Sequence, residues 1–155
     1  MTIYRLIEVE GVIAPAIGLT EKIIDSIDTS HPKLIVLAGV AGSGKTLTAN
    51  AVKDKLLADG TINAKNIHEL GSINNQEEAS VKYANETLFL VDEVDNKQPM
   101  KLVIWDEVRY DSAETAAIAR LLNLGYNVIA LSQDVGRYSN LPDPAFKNYI
   151  EFNLA

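Results

Sequence analysis

Cysteine is missing from this chain altogether. Disulfides, thiolate metal sites and cysteine nucleophiles are thereby excluded, and the absence fits a reducing compartment. Basic residues are also scarce: 14 Lys and Arg stand against 21 Asp and Glu, for a net charge of −7. Such a field repels nucleic acid and anionic membrane, and no block of Lys or Arg offers a local exception. No run reaches the roughly 18–20 apolar residues of a membrane span. Met1 to Arg5 lacks the basic segment and apolar core of a secretory signal. A cytoplasmic location is expected. What is present, 47% apolar and 23% charged residues over 155 positions, suits one globular core. We expect a single domain over 1–155, with residues 1–32 as an N-terminal extension.

Three short runs read as strands buried on both faces of a parallel sheet: Leu34 to Ala38 and Leu102 to Trp105, apolar throughout, and Asn127 to Leu131, apolar after its first residue. Between and around them the apolar spacing becomes helical. Ala49, Val52 and Leu56 mark one helix, expected to stop at Gly60. Ile118, Leu121 and Leu122 mark another, which a capping-box-like Asp111 and Glu114 would open and Gly125 close. Thr20 is expected to cap a short helix carrying Ile23, Ile24 and Ile27. Short strands are expected within Ile3 to Ile13, within Ile62 to Leu70 and over Tyr149 to Leu154, and a helical pattern lies between Asn75 and Leu88. Strands alternating with helices imply an α/β fold with a mainly parallel sheet flanked by helices and right-handed crossovers.

Between the first buried strand and its helix runs Gly39-Val40-Ala41-Gly42-Ser43-Gly44-Lys45-Thr46, a full match to the Walker A phosphate loop. Glycines let backbone N–H groups turn toward phosphate oxygens with no Cβ in the way. The following helix presents its positive end to the same anion. Lys45 is expected on the β- and γ-phosphates, and the Thr46 hydroxyl on Mg²⁺.

Such a loop needs a carboxylate at the end of a neighbouring strand to hold the metal shell, and hydrolysis needs a second to orient water. Two segments offer the pair: Leu88 to Glu93, ending in Asp92 and Glu93, and Leu102 to Glu107, ending in Asp106 and Glu107. Only the residues from Val94 to Lys101 separate them, too few for a parallel crossover of a dozen or more residues. The second pair is followed by a capped helix and another buried strand, so Asp106 is assigned to the metal and Glu107 to the water. After the third strand, Gln133 stands where it would sense the γ-phosphate or the attacking water. Arg109 and Arg137 are the candidates for a charge-stabilising arginine. The guanine-reading pattern Asn-Lys-x-Asp is absent, since Asn96-Lys97-Gln98-Pro99 lacks the acid, so ATP is expected over GTP.

Beyond the loop, Asp106-Glu107-Val108-Arg109, Glu114-Thr115-Ala116-Ala117-Ile118-Ala119, Gly125-Tyr126-Asn127-Val128 and Leu131-Ser132-Gln133 follow in order. This series resembles the hallmark stretch of the secretion ATPases of type II secretion, type IV pili and conjugative type IV systems. That stretch reads Gly-Glu-Ile-Arg-Asp, Glu-Thr-Ala-x-Ile-Ala, Thr-Gly-His-x-Val and Thr-Leu-His. The likeness spans about residues 33 to 133, with Asp106 in place of the family glycine and Gln133 in place of its histidine. It implies a P-loop NTPase fold, Mg²⁺-dependent ATP hydrolysis, a homo-oligomer and a protein partner. The arrangement also looks like a thymidine-kinase-type P-loop kinase, although that family carries a cysteine-rich zinc module. A third alternative is a nucleotide-gated binding module with little turnover.

Overall fold

The structure, a computed structural model, describes residues 2–71 and 100–155. The runs with unbroken apolar character become the centre of a sheet, because only a strand covered on both faces can use apolar side chains at every position. The strands are β1 (Ile3–Tyr4), β4 (Leu34–Ala38), β5 (Ile67–Gly71), β6 (Leu102–Asp106), β7 (Asn127–Ser132) and β8 (Ile150–Leu154). Among the described residues they form a six-stranded sheet in the order β1-β8-β4-β7-β6-β5, with every pairing parallel. A separate antiparallel hairpin joins β2 (Ile7–Val9) to β3 (Val12–Ala14).

Among the described residues three α-helices cover the sheet: α1 (Leu19–Ser26), α2 (Lys45–Ala58) and α3 (Ser112–Asn123). The alternation of side chains along each strand divides the core in two. Leu34, Val36, Val103, Trp105, Val128 and Ala130 point to the face covered by Ile118, Leu121 and Leu122 of α3. Ile35, Leu37, Ile104, Ile129 and Leu131 point the other way, against Leu19 and Ile23 of α1 and Ala49, Val52 and Leu56 of α2. Both layers are continuous, and they fix the sheet between its helices.

The ends of the helices follow their sequence signals with one exception. Gly60, at φ 70°, ends α2 through Gly60 N–H to Leu57 O at 3.2 Å and Thr61 N–H to Leu56 O at 3.0 Å. Gly125 ends α3 in the same way, at φ 96°. At α1, however, the residue before the first turn is Gly18 in the left-handed conformation, so Thr20 lies inside the helix and does not cap it. Buried Asn127 ties the start of β7 to the approach of β4. Its side chain accepts from Lys33 N–H at 3.0 Å and donates to Asp28 O at 2.9 Å.

The register of β4, β7 and β6 brings the carboxyl ends of all three to one edge. One expectation fails in detail. The strand carrying Asp106 is not the neighbour of the phosphate-loop strand, because β7 lies between them. The reason is in the pairing: β4 accepts β7 along Leu34 to Ala38, and β6 then adds to the far side of β7. The chosen βαβ unit, β6-α3-β7, has parallel and adjacent strands as expected. The Asp92 and Glu93 pair and the helical pattern from Asn75 to Leu88 lie outside the described residues.

Candidate functional site

The loop from Gly39 to Gly44 joins β4 to α2, so the first turn of α2 opens on Lys45 and Thr46. Gly44 precedes that turn at φ 97° and supplies no side chain to cap it. The free N–H groups of a helix start are then available to an anion. Two glycines are fixed by close approach. A Cβ on Gly39 would meet Leu154 O at 2.5 Å and Ser43 Oγ at 2.6 Å, and a Cβ on Gly44 would collide with the Leu6 side chain. Val40, Ala41 and Gly42 form the exposed crest of the loop, whereas Ser43 turns inward and is buried. Gly39 N–H donates to Ser132 O at 2.9 Å, which ties the loop to the end of β7.

Gly44→Ala is expected to cost about 1–2 kcal/mol from its left-handed backbone alone. Displacing the loop from Leu6 should weaken ATP binding further. Adding Leu6→Ala relieves the contact and leaves the backbone cost, so thermal unfolding and ATP titration of the single and double variants separate the two effects.

The Lys45 ammonium donates to Gly39 O, and to Val40 O at 3.3 Å, so its stem lies across its own loop. Burial pushes its pKa down, and the negative charge of Asp106 opposes that shift. Asp106 is half-buried at the end of β6, and its Oδ1 accepts from Glu107 N–H at 2.9 Å. Glu107 is exposed and adopts φ 50°, a left-handed conformation that turns the chain sharply out of the strand. Val108 N–H then donates to Leu131 O at 3.0 Å and returns the segment to β7.

Two cavities meet here. One, of about 360 Å³, is walled by Gly42, Gly44, Thr46 and Leu47. The other, of about 380 Å³, is walled by Val108, Arg109, Leu131 and Asp134. Lys45, Asp106, Glu107 and Gln133 line both. Gln133 is in the site because β7 intervenes between the loop and the acidic strand. Arg109 borders the second cavity. Arg137 borders neither, and is held elsewhere: its guanidinium pairs with Asp134 at 3.0 Å and lies 4.5 Å from the centre of the Tyr110 ring.

Thr46 and Asp106 give hard oxygen donors on the wall of one cavity, a set that suits Mg²⁺. That ion is held by one or two protein oxygens together with phosphate, rather than by a cage of side chains. Among the described residues no group of three or more His, Asp or Glu forms such a cage.

Three residues around the site were not singled out for it in the sequence. Glu114 is buried, at 1% exposure, and reaches past its helix cap to the N–H groups of Arg109 and Tyr110. Tyr110 shares a hydrogen bond with Ser132 at 2.5 Å. Leu6 reaches Gly44 from 38 positions away, and no local signal announces such a contact.

No family model matches the chain, and no curated protein matches it. Solved structures do. The chain is 23% identical to one in the E. coli MS115-1 HORMA:CdnC:Trip13 complex, with a TM-score of 0.51, covering 79% of this chain and 43% of that one. It is 21% identical to C. elegans PCH-2, again with a TM-score of 0.51, covering 88% of this chain and 39% of that one. The fold is that of the P-loop ATPases. The chain therefore spans about two fifths of the length of these structures. At such identities the likeness concerns the fold alone. The Legionella pneumophila ATPase DotB superposes at a TM-score of 0.49 with 15% identity, and that likeness carries no argument.

Proposed function

We propose that this chain binds ATP in a Mg²⁺-dependent manner and hydrolyses it. The observation that carries the reading is the convergence of Lys45, Asp106, Glu107 and Gln133 on two joined cavities at the mouth of a complete phosphate loop. Backbone N–H groups of the loop and the start of α2 would cradle the phosphates, with Lys45 neutralising the outer ones. Thr46 and Asp106 would hold the metal, which supplies charge neutralisation at the phosphoryl group. Glu107 would orient the water, Gln133 would contact the γ-phosphate or that water, and Arg109 would balance the charge that develops.

The likeness to secretion and conjugation ATPases is the finer part of this reading, and rests on the Asp106 to Gln133 series. A homo-oligomer and a protein partner belong to it as well. The E. coli chain similar to this one is part of a complex, which supports a protein partner. Among the described residues no helix is long and apolar enough to cross a membrane, and the cytoplasmic location stays part of the proposal.

Steady-state release of phosphate, measured with the solution mass, with and without Mg²⁺, tests the proposal. Turnover that needs Mg²⁺ and favours ATP over GTP is the expected result. Transfer of phosphate to a small acceptor would instead support the kinase alternative, and tight binding without turnover the nucleotide-gated module. Equal competition by GTP would refute the base preference.

A further inference from the structure

Glu114 is a carboxylate removed from water and met by backbone N–H groups. It sits in the first turn of α3, at 1% exposure. Burying an acid there is costly unless its oxygens receive hydrogen bonds. They do. Oε1 accepts from Arg109 N–H at 3.1 Å and from Tyr110 N–H at 3.1 Å, and Oε2 accepts from Arg109 N–H at 3.2 Å. The nearby Trp105 indole also favours its ionised form. Burial raises the carboxyl pKa while these donors pull it down. The Asp111 side chain accepts from Glu114 N–H at 2.9 Å, one half of a capping box, while the Glu114 carboxylate reaches beyond the cap to the two residues before it.

The grip falls on a strained segment. Glu107 at φ 50° and Tyr110 at φ 65° are both left-handed without being glycine. Each is unfavourable for a residue with a side chain, and such conformations persist only where the surroundings over-determine them. Glu114 holds the segment from below, and Val108 N–H holds it to β7 through Leu131 O at 3.0 Å. Tyr110 carries the constraint onward. Its hydroxyl meets Ser132 Oγ, which also accepts from Asp134 N–H at 3.0 Å and donates to Asp134 O at 2.9 Å. Gln133 lies between those two residues. One buried acid is thus bonded, directly or through one residue, to the backbone on which both Glu107 and Gln133 stand.

We propose that Glu114 is a positioning residue that, by gripping the N–H groups of Arg109 and Tyr110, aims the Glu107 carboxylate at the reacting phosphate. This rests on the hydrolysis reading above. Glu114→Gln keeps the size but removes the charge that strengthens these bonds and sets an amide NH₂ against the Arg109 N–H where Oε2 now accepts, so the segment loosens while the phosphate loop is untouched. The expected result is a fall in kcat of about 10- to 100-fold, the scale that a misplacement near 1 Å produces. ATP affinity should stay within about twofold, because the loss is felt in the transition state.

The deciding readout is the same substitution in a Glu107→Gln background. If Glu114 acts through Glu107, adding Glu114→Gln there should change kcat by less than about twofold. Loss of folded protein would instead lower kcat by the same factor in both backgrounds, and that result overturns the proposal. So does a Glu114→Gln protein with normal turnover beside an active wild type, which would leave the hydrolysis reading standing. A wild type that binds ATP without turnover defeats that reading and the positioning role together. If Glu114→Gln does not fold, amide exchange in the wild-type protein decides. The Arg109 and Tyr110 amides should exchange at least about 100-fold more slowly than in an unstructured peptide. Unprotected exchange at both sinks the proposal.

Discussion

Lys45→Ala is expected to weaken ATP binding by about 2–3 kcal/mol, the worth of a charge-assisted hydrogen bond in a partly buried site. That corresponds to a rise in Kd of roughly 30- to 150-fold. The reason lies in how the side chain is held. Its ammonium is half-buried, with a pKa pushed down by desolvation, and it rests on the carbonyls of Gly39 and Val40. A phosphate at the start of α2 would give that cation the counter-charge that burial denies it, and no other Lys or Arg lies within the loop. The helix N-terminus and loop amides would remain in the variant, so binding should fall without disappearing. Calorimetric titration with ATP and Mg²⁺ checks the magnitude, and an unchanged affinity would remove the phosphate-loop assignment.

The parts of this molecule that were legible in the sequence are those governed by short-range rules. Leu34 to Ala38 and Asn127 to Ser132 are buried along their whole length, as strands with an apolar run at their centre in a parallel sheet must be. Gly60 and Gly125 end their helices through left-handed backbone, and the final strand falls at Ile150–Leu154. The glycine loop between β4 and α2 is equally local, since consecutive residues set its turn into the helix. Strand order is not local. That β7 enters between β4 and β6 depends on which edges pair, and a sequence with several similar apolar runs does not encode the choice in any one of them. For the same reason the role of Glu114 was hidden behind its spacing from Asp111. A capping box accounts for a Glu three residues after an Asp, and only the fold reveals that its carboxylate serves the segment before the helix. Gly18 shows a related limit at α1, where backbone freedom at the entry outranks the hydroxyl of Thr20.

Glu107→Gln is expected to lower kcat by about 10²- to 10⁴-fold, the range that a positioned general base or water-orienting carboxylate contributes. ATP affinity should change little, since the amide keeps the shape and only the charge is lost. The structure supports separating the two effects. Glu107 is exposed at the junction of the two cavities, whereas the groups assigned to phosphate and metal, Lys45, Thr46 and Asp106, are distinct side chains. An interaction made only in the transition state appears in kcat and in kcat/KM alike, and leaves binding alone. Asp106→Asn should behave differently. Removing a metal-holding charge that also acts on the Lys45 ammonium should raise the Mg²⁺ requirement and weaken ATP binding along with turnover. Glu93→Gln is the control from the competing acidic segment, and neither its kcat nor its Kd should move by more than about twofold. Single-turnover phosphate release and ATP titration for the three variants, under one set of conditions, give the comparison. Loss of turnover in Glu93→Gln with Glu107→Gln unaffected would transfer the water-orienting role to the other segment. If ATP binds and neither glutamate matters, the chemistry assigned to the mouth of β6 is wrong, and the nucleotide-gated module becomes the account of the site.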